Sequence, residues 1–389
     1  MERKAIDPGA MGLRRDDSEG VRFLPATREI DYVLRLRVSV VDLSGTQTNV
    51  WVDWSERSTN LCRSANEIDP GSNRCHGKGH EPDEGCRNNR SLALTRASLP
   101  NGMNPSVPSR TALGVARRRA AHQSLDRPLI FRDPLAERLA GVLEPVWPSR
   151  TPHPNSRSSR LLRAFIAARS RYAEDQLALF FTRGVRQYVV LGAGLDTFAY
   201  RNPYAPELRV FEADHPATQA WKLERLHAAG IAVPDSLRFV PVDFEQQRLA
   251  EVLQTTAGFD IAHTAFFSLL GVTPYLTMDA LVTTLAAIAS MPAGSGVVFD
   301  YAVPVDSLSL WERIGVTSLS ARVARIGEAF RLFLDPGELS RLLGDLGFAS
   351  IEDLGRGEIN TRYFQQRSDG LQIGSAAGRI LRAAVAPRK

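Results

Sequence analysis

Two glycines and two aspartates follow short apolar segments in the middle of the chain, and their spacing suits a ligand that contains adenosine. Gly192 and Gly194 end the segment QYVVLGAG, where a residue without a Cβ lets the backbone approach a ligand closely. Asp214 comes 20 residues after Gly194, a separation at which an acid can accept hydrogen bonds from a ribose diol. Asp243 and Phe244 end a third apolar segment, where we expect them to contact the amine and the ring face of adenine.

These residues can meet only if the segments before them are neighbouring strands of one sheet. From residue 103 onward, apolar segments of strand length alternate with segments whose apolar residues recur at helical spacing. This pattern predicts an α/β fold, a mostly parallel Rossmann-like sheet with helices on both faces and ligands at the carboxyl ends of its strands. The predicted strands lie within residues 187–194, 207–214, 237–244, 259–272, 294–302 and 348–355. The main helices are expected within residues 133–143, 159–184, 216–230, 277–291 and 336–347.

Two cofactors that contain adenosine fit this pattern, a nicotinamide dinucleotide and S-adenosylmethionine. The dinucleotide fingerprint requires a third glycine where this chain has Thr197. Asp196 lies in the same loop, and a carboxylate there would repel a pyrophosphate, whereas the sulfonium and amino groups of S-adenosylmethionine are cationic. The acid therefore favours S-adenosylmethionine. The structural alternatives are a tight turn at the glycines and a helix N-cap at Asp214.

The segments VVLGAGLDTFAYR, VFEADHPATQAWKLERL, VPVDF and FFSLLGVTPYLT occur in this order along the chain. They resemble the leucine carboxyl methyltransferase-like family of S-adenosylmethionine-dependent methyltransferases, and more closely its branch of proposed bacterial methyltransferases. The resemblance covers residues 105–370 and excludes residues 1–102. It implies a class I methyltransferase fold, the activity of a methyltransferase and S-adenosyl-L-methionine as the cofactor.

The resemblance also implies a cofactor site whose members are Gly192, Gly194, Asp214, Asp243 and Phe244. The segment ARSRYAED resembles the arginine-bearing helix of the family, and we choose Arg171, with Arg169 second, as the residue that binds the methionine carboxylate. An arginine on the solvent-exposed face of a helix is the alternative. The eukaryotic carboxyl methyltransferases have a glutamate where this chain has Leu270, before Gly271, which argues against a leucine carboxylate as the acceptor.

The composition of residues 1–102 differs from that of the remaining chain. These residues are rich in Gly, Asp, Arg and Ser, and one segment, residues 31–41, alternates like a strand without an evident partner. We predict that residues 1–102 are a disordered or non-native extension, with Met103 as the natural start. We further expect a helical substrate and cofactor cover at 103–184, the cofactor-binding domain at 185–370 with a helical lid insert at 306–334, and a C-terminal tail at 371–389.

Charge and cysteine usage narrow the expected partners. Residues 103–184 hold 14 arginines against six acids, but arginine is also an ordinary helix residue, so we expect no nucleic-acid partner. No segment has the roughly 20 apolar residues of a membrane span, so we expect no membrane partner. The three cysteines, Cys62, Cys75 and Cys86, lack the paired spacing of structural zinc sites, which predicts no metal and suits the cytoplasm.

The function predicted from these observations is methyl transfer from S-adenosylmethionine to an oxygen of a small-molecule carboxylate or hydroxyl. A carboxylate is ionised at neutral pH and needs no general base, and the sequence shows no convincing base, so the catalytic residue stays unknown. His263 is expected inside an apolar strand in a structural role, and Tyr275 is expected to border the substrate or to pack. The alternatives are an NAD(P)-dependent oxidoreductase and a non-catalytic S-adenosylmethionine-binding protein.

Overall fold

The computed structural model describes residues 109–141, 153–325 and 327–387, and the backbone of four strands among the first 108 residues. Those strands form one sheet in the order β1-β2-β4-β3, with bounds β1 Leu13–Asp16, β2 Gly20–Phe23, β3 Val33–Val41 and β4 Gln47–Ser55. Strand β3 confirms the strand predicted at 31–41. Strand β4 is the antiparallel partner that the sequence did not reveal.

The chain divides into two compact units, Met1–Ala93 and Leu94–Lys389, and the second contains the predicted α/β fold. Its seven-stranded sheet has the order β10-β11-β9-β8-β5-β6-β7, in which only β11 runs antiparallel to its neighbours. This is the class I methyltransferase sheet that we expected. The strands are β5 Gln187–Leu191, β6 Arg209–Asp214, β7 Leu237–Pro241, β8 Ala265–Leu269, β9 Gly296–Ala302, β10 Phe348–Leu354 and β11 Gly378–Val385.

Nine helices lie in the part of the chain that the structure describes, and the longest, α3, precedes the first strand of the larger sheet. Gly184 follows α3 with a φ of +96°, which only glycine adopts readily, and it ends the helix as predicted. Gly347 ends α8 in the same way, at a φ of +100°. The helices are α1 Arg110–Leu125, α2 Ala136–Gly141, α3 Arg157–Thr182, α4 Pro216–Ala228, α5 Leu249–Thr255, α6 Met278–Ala289, α7 Leu310–Ala324, α8 Pro336–Leu346 and α9 Arg356–Tyr363.

Two apolar clusters cover the two faces of the sheet. Residues of α3 pack with Tyr188 and Phe266 on one face, and residues of α6 and α8 pack with Val189 and Phe267 on the other. Neighbouring strand residues point to opposite faces, so a strand buried on both sides must be apolar throughout. This explains why β5 and β8 read as continuous apolar segments. Among the described residues, no helix combines the length and the apolar character needed to cross a bilayer.

Three expectations from the sequence were wrong at this level. The fourth strand, predicted over 259–272, begins only at Ala265, and residues 260–264 form an exposed turn. His263 lies in that turn with a 76 % exposed side chain that pairs with Asp260, so it is not inside a strand. Residues 371–389, expected to be a tail, contain β11, which inserts between β9 and β10.

Candidate active site

The glycine loop after β5 is built for close approach of the backbone to its surroundings. Gly192 has a φ of +64° and Gly194 a φ of +47°, both in the left-handed region that favours glycine. A Cβ on Gly192 would lie 2.2 Å from Cγ2 of Val272, which follows β8. A Cβ on Gly194 would lie 3.1 Å from the Cβ of Ala112 on α1. The loop therefore lies between the end of β8 and the first turn of α1, with little room for side chains.

Asp214 ends β6 beside this loop, as the sequence predicts. Its carboxylate accepts a hydrogen bond from the backbone N–H of Gly194 at 2.5 Å and another from the N–H of His215 at 2.7 Å. Burial raises the pKa of Asp214, and the two N–H donors partly offset that rise. Each carboxylate oxygen has a second acceptor site, so a ribose diol can still be bound. The N-cap of α4 is His215 rather than Asp214, which removes the simplest structural alternative.

Asp243 and Phe244 follow β7, the neighbour of β6, and so lie at the same edge of the sheet. Asp243 is half-buried, and its Oδ1 accepts from the N–H of Glu245 at 3.0 Å. Phe244 is half-buried and packs on the apolar cluster beneath it. The strand order β5-β6-β7 thus brings Gly192, Gly194, Asp214, Asp243 and Phe244 to one edge.

Arg169 is the arginine that the structure brings to the strand ends. Its Nη1 donates to Asp300 near the end of β9 at 2.8 Å, and Asp300 also accepts from the N–H of Gly271 at 2.5 Å. A Cβ on Gly271 would lie 2.7 Å from Nη2 of Arg169, so the guanidinium lies directly against the backbone after β8. The Nε atom of Arg169 is buried and has no hydrogen-bond partner among the described residues. A buried donor without a partner is costly, and a bound carboxylate would satisfy it.

Arg171, our first choice from the sequence, lies elsewhere on α3. Its side chain is 49 % exposed and pairs with Asp175 one helical turn along, and its Nη1 reaches the backbone of Ile130. The structure therefore does not bring Arg171 to the strand ends, and Arg169, the second choice, takes its place in our proposal. The signal that could have separated them is burial, because Ile166 to Ser170 are five consecutive buried residues.

Two distant segments meet over the glycine loop. Glu328, which follows α7, accepts from the N–H groups of Arg110 at 2.6 Å and Thr111 at 3.1 Å, and so caps the first turn of α1. The backbone N–H of Arg331 donates to the carbonyl of Pro274 at 2.7 Å, which ties the predicted lid insert to the turn after β8. The insert therefore lies over the strand ends rather than away from them.

Tyr275 lies beneath the insert, where its ring packs edge-on against Phe330 with the ring centroids 5.4 Å apart. Burial raises the pKa of Tyr275 to about 12. The phenol is therefore protonated at neutral pH and is a hydrogen-bond donor there rather than a base.

Two ion pairs support the glycine loop and the strand beside it. Arg119 on α1 donates to Asp196 at 2.8 Å, and although burial favours the protonated acid, this pairing lowers the pKa of Asp196 to about 2. Lys222 on α4 donates to Glu212 on β6 at 2.6 Å, and burial raises the pKa of Glu212 to about 7 despite that partner. The sequence did not identify these pairs, because their members come from four different elements.

The same loop argues against a dinucleotide, for a different reason from the one expected. Asp196 is neutralised by Arg119, so its charge is not aimed at a ligand. A dinucleotide pyrophosphate needs the N-terminus of a helix directly after the loop. Here the loop leads into a four-residue 3-10 turn, Phe198–Arg201, which provides no such terminus.

The described residues contain no group of three or more histidine, cysteine or acidic side chains that could hold a metal ion. The three cysteines lie outside these residues, so the absence of a metal there stays a prediction.

The carboxyl edge of this Rossmann-like sheet carries glycines, a buried acid and a buried arginine. This combination is typical of proteins whose cofactor contains adenosine but no pyrophosphate. Residues 112–289 match the family model described as leucine carboxyl methyltransferase. The chain is 33 % identical over 293 residues to the proposed S-adenosyl-L-methionine-dependent methyltransferase YktD of Bacillus subtilis, covering 69 % of this chain and 95 % of that protein. This chain belongs to the leucine carboxyl methyltransferase-like family and is an S-adenosylmethionine-dependent methyltransferase.

Two further proteins illustrate the range of similarity. The proposed S-adenosyl-L-methionine-dependent methyltransferase SCO7813 of Streptomyces coelicolor is 32 % identical over 226 residues, which cover 54 % of this chain and 78 % of that protein. The crystal structure of a DUF574 family protein from Streptomyces avermitilis superposes with a TM-score of 0.46 at 15 % identity, covering 70 % of this chain and 97 % of that one. The order of the strands identifies the fold independently of this superposition.

Proposed function

We propose that this enzyme methylates an oxygen of a small molecule, with a carboxylate favoured over a hydroxyl. S-adenosylmethionine, when bound, supplies a methyl group on a sulfonium that is already activated for displacement. The protein must then hold the acceptor oxygen in line with that group, and such alignment can lower the barrier by about 7–11 kcal/mol. The cytoplasm is the proposed location, since no described feature requires a disulfide.

In this proposal the residues at the strand ends hold the cofactor by its two ends. Asp214 accepts from the ribose diol, and Asp243 with Phe244 contacts the adenine. Arg169 binds the methionine carboxylate through the donors that Asp300 leaves free, while Gly192 and Gly194 allow close approach of the backbone. The support for Arg169 is its buried, unpartnered Nε beside Gly271.

The preference for an ionised acceptor follows from how the titratable groups at this edge are engaged. Asp214 accepts from two backbone N–H groups, Asp300 pairs with Arg169, and Glu328 caps α1. Tyr275 is protonated at neutral pH because burial raises its pKa to about 12. Among the described residues at this edge, each of these four groups is thus already engaged by a neighbour or protonated, and none is an evident general base for a hydroxyl. A carboxylate needs no such base, and this observation carries the proposal.

The test is methyl transfer from S-adenosylmethionine with a labelled methyl group to matched small molecules, benzoate, phenol and benzyl alcohol among them. A methyl ester releases its label as volatile methanol in mild alkali, whereas a methyl ether does not. We expect label that alkali releases, formed with carboxylates. Label that is stable to alkali and forms only with phenols or alcohols would contradict the preference for a carboxylate. Label on nitrogen or sulfur acceptors alone would contradict O-methylation itself.

A further inference from the structure

A cavity of about 640 Å³ opens at the edge of the sheet beyond the residues assigned to the cofactor. Its walls are the first turn of α3, the first turn of α9 and the segment that precedes β11. Among the residues that the structure describes, three arginines and three side-chain amides line it and no acidic residue does. The polar lining residues are Asn155, Arg157, Arg160, Arg356, Asn360 and Gln372. The charged side chains that line the cavity are all positive, which favours an anionic ligand.

The walls of this cavity are fixed by packing and by hydrogen bonds. Asn360 donates to the carbonyl of Ile373 at 3.0 Å and accepts from the N–H of the same residue at 2.8 Å, which holds the wall before β11 to α9. A Cβ on Gly374 would lie 2.6 Å from Cδ1 of Leu161, so this wall also lies directly against α3. The cavity is therefore shaped by the fold rather than by a loose loop.

The arginines keep donors available for a ligand. Arg157 is exposed and makes no ion pair or side-chain hydrogen bond with any described residue. Arg160 uses one nitrogen, Nη2, on the carbonyl of Asp369 at 2.6 Å. Arg356 forms an ion pair with Glu312 through Nη1 at 3.3 Å, and the same nitrogen donates to the carbonyl of Gly374 at 3.4 Å, which leaves Nε and Nη2 for a ligand. The carboxylate of Asp369 pairs with Arg367, so it does not neutralise the cavity.

The position of the cavity relates it to the reaction. Arg356 lies two residues after the end of β10, and Gly374 lies four residues before β11, whose first residue pairs with Ala302 at the end of β9. Because β10 is parallel to β9, these walls lie at the carboxyl edge, on the half of the sheet opposite β6 and β7. The cavity and the cofactor residues thus occupy two halves of one edge.

We propose that this cavity binds an anionic group of the methyl acceptor, a carboxylate or a phosphate that is distinct from the oxygen that receives the methyl group. This inference rests on the proposed function, because it places the acceptor beside the cofactor. Arg160 and Arg169 lie nine residues apart on α3, about 13 Å along the helix axis. The acceptor is therefore elongated, with its anionic group remote from the reacting oxygen.

The test is calorimetric titration of the full chain with inorganic phosphate, acetate and phenyl phosphate, at ionic strength matched with sodium chloride. The double variant Arg157→Gln with Arg160→Gln removes two cavity arginines. The control, Arg238→Gln with Arg341→Gln, removes the same charge from two exposed positions outside the cavity. We expect at least tenfold weaker binding of the anions in the cavity variant and a change below twofold in the control.

Several results would overturn this inference. One is that none of the three anions binds the unmodified chain. The others are that the cavity variant binds the anions as tightly as the unmodified chain does, and that the control variant loses as much anion affinity as the cavity variant. Tighter binding of phenyl phosphate than of inorganic phosphate supports an anion carried by a larger molecule; equal affinities would mean a site for the free ion and would overturn its assignment to the acceptor. Titration of the same samples with S-adenosylhomocysteine separates the two proposals. If the unmodified chain binds S-adenosylhomocysteine but none of the three anions, the cavity inference alone is refuted.

Discussion

Replacement of Arg169 by glutamine tests how the cofactor is oriented. Arg169 uses Nη1 on Asp300 and leaves Nε without a partner among the described residues. If those free donors bind the methionine carboxylate, their loss removes a charge-assisted interaction of about 1.5–3 kcal/mol. That free energy corresponds to S-adenosylhomocysteine binding that is weaker by about 10- to 150-fold.

The ligand can be truncated as well as the protein, and this gives the experiment its specificity. Methylthioadenosine has the adenosine and the thioether but no amino acid end. Isothermal titration should therefore show that Arg169→Gln weakens the binding of S-adenosylhomocysteine and changes the affinity for methylthioadenosine by no more than about twofold. Arg171→Gln is the matched control, since Arg171 is exposed and its partners, Asp175 and the carbonyl of Ile130, lie away from the strand ends. We expect it to change neither affinity.

Arg169→Gln also affects the stability of the protein, and a double variant separates this effect from cofactor binding. Arg169→Gln leaves Asp300 as a buried charge without its ion partner, which can cost about 3–5 kcal/mol of stability. The double variant Arg169→Gln with Asp300→Asn removes that charge, and it should recover stability without recovering affinity. Equal weakening of methylthioadenosine would show that Arg169 only supports the fold. Weaker S-adenosylhomocysteine binding in Arg171→Gln, with Arg169→Gln unaffected, would refute the assignment.

Three further predictions follow from the site and its supports. Asp214→Asn should weaken S-adenosylhomocysteine and methylthioadenosine alike by about 10- to 150-fold. Burial raises the pKa of Asp214, so the affinity of the unmodified protein for S-adenosylhomocysteine should fall as the pH decreases through that raised pKa. If Asp214→Asn leaves both affinities unchanged, the contact with the ribose is contradicted. Lys222→Met leaves Glu212 buried without its partner and should lower the free energy of unfolding in urea by about 3–5 kcal/mol. The double variant Lys222→Met with Glu212→Leu should recover most of the lost free energy of unfolding. An equal loss in the single and the double variant would contradict a destabilising buried charge at Glu212. Glu328→Gln should weaken the cap on α1 by about 1 kcal/mol, which should appear as faster hydrogen exchange in the first turn of α1. Slower or unchanged exchange would contradict the contact between the lid insert and α1.

The sequence predicted the strand ends well because their residues are constrained by more than one requirement. Gly192 and Gly194 need positive φ and close packing, and Asp214 follows a strand that must be apolar because both faces are covered. Such positions leave a local pattern of glycines and acids after apolar segments. The pattern predicts the fold and a cofactor that contains adenosine without knowledge of distant contacts, and the resemblance to the family implies S-adenosylmethionine.

Features that depend on distant contacts were not predictable in this way. The helix α3 is buried around its middle, so its apolar residues do not form a single stripe, and periodicity could not separate Arg169 from Arg171. Strand β11 has two arginines among its apolar residues, so it lacks a continuous apolar segment, and it inserts between two strands that lie earlier in the chain. The cap of α1 by Glu328 joins residues more than 200 positions apart.

The extent of the cofactor-binding domain and the native start at Met103 stay predictions, whereas the tail expected at 371–389 contains β11. The four strands of the first unit show that part of residues 1–102 has regular backbone structure. N-terminal sequencing of the native protein measures its start directly. A start at Met103 is expected, and a start at Met1 would end that interpretation.

The most direct measurement of the central claim is calorimetric titration of the full chain with S-adenosylhomocysteine, S-adenosylmethionine and NAD, with Asp214→Asn beside it. The account predicts binding of the first two with one site per chain, strongly weakened in the variant, and no binding of NAD. Binding of NAD alone, or S-adenosylhomocysteine binding that is unaffected by Asp214→Asn, would contradict it.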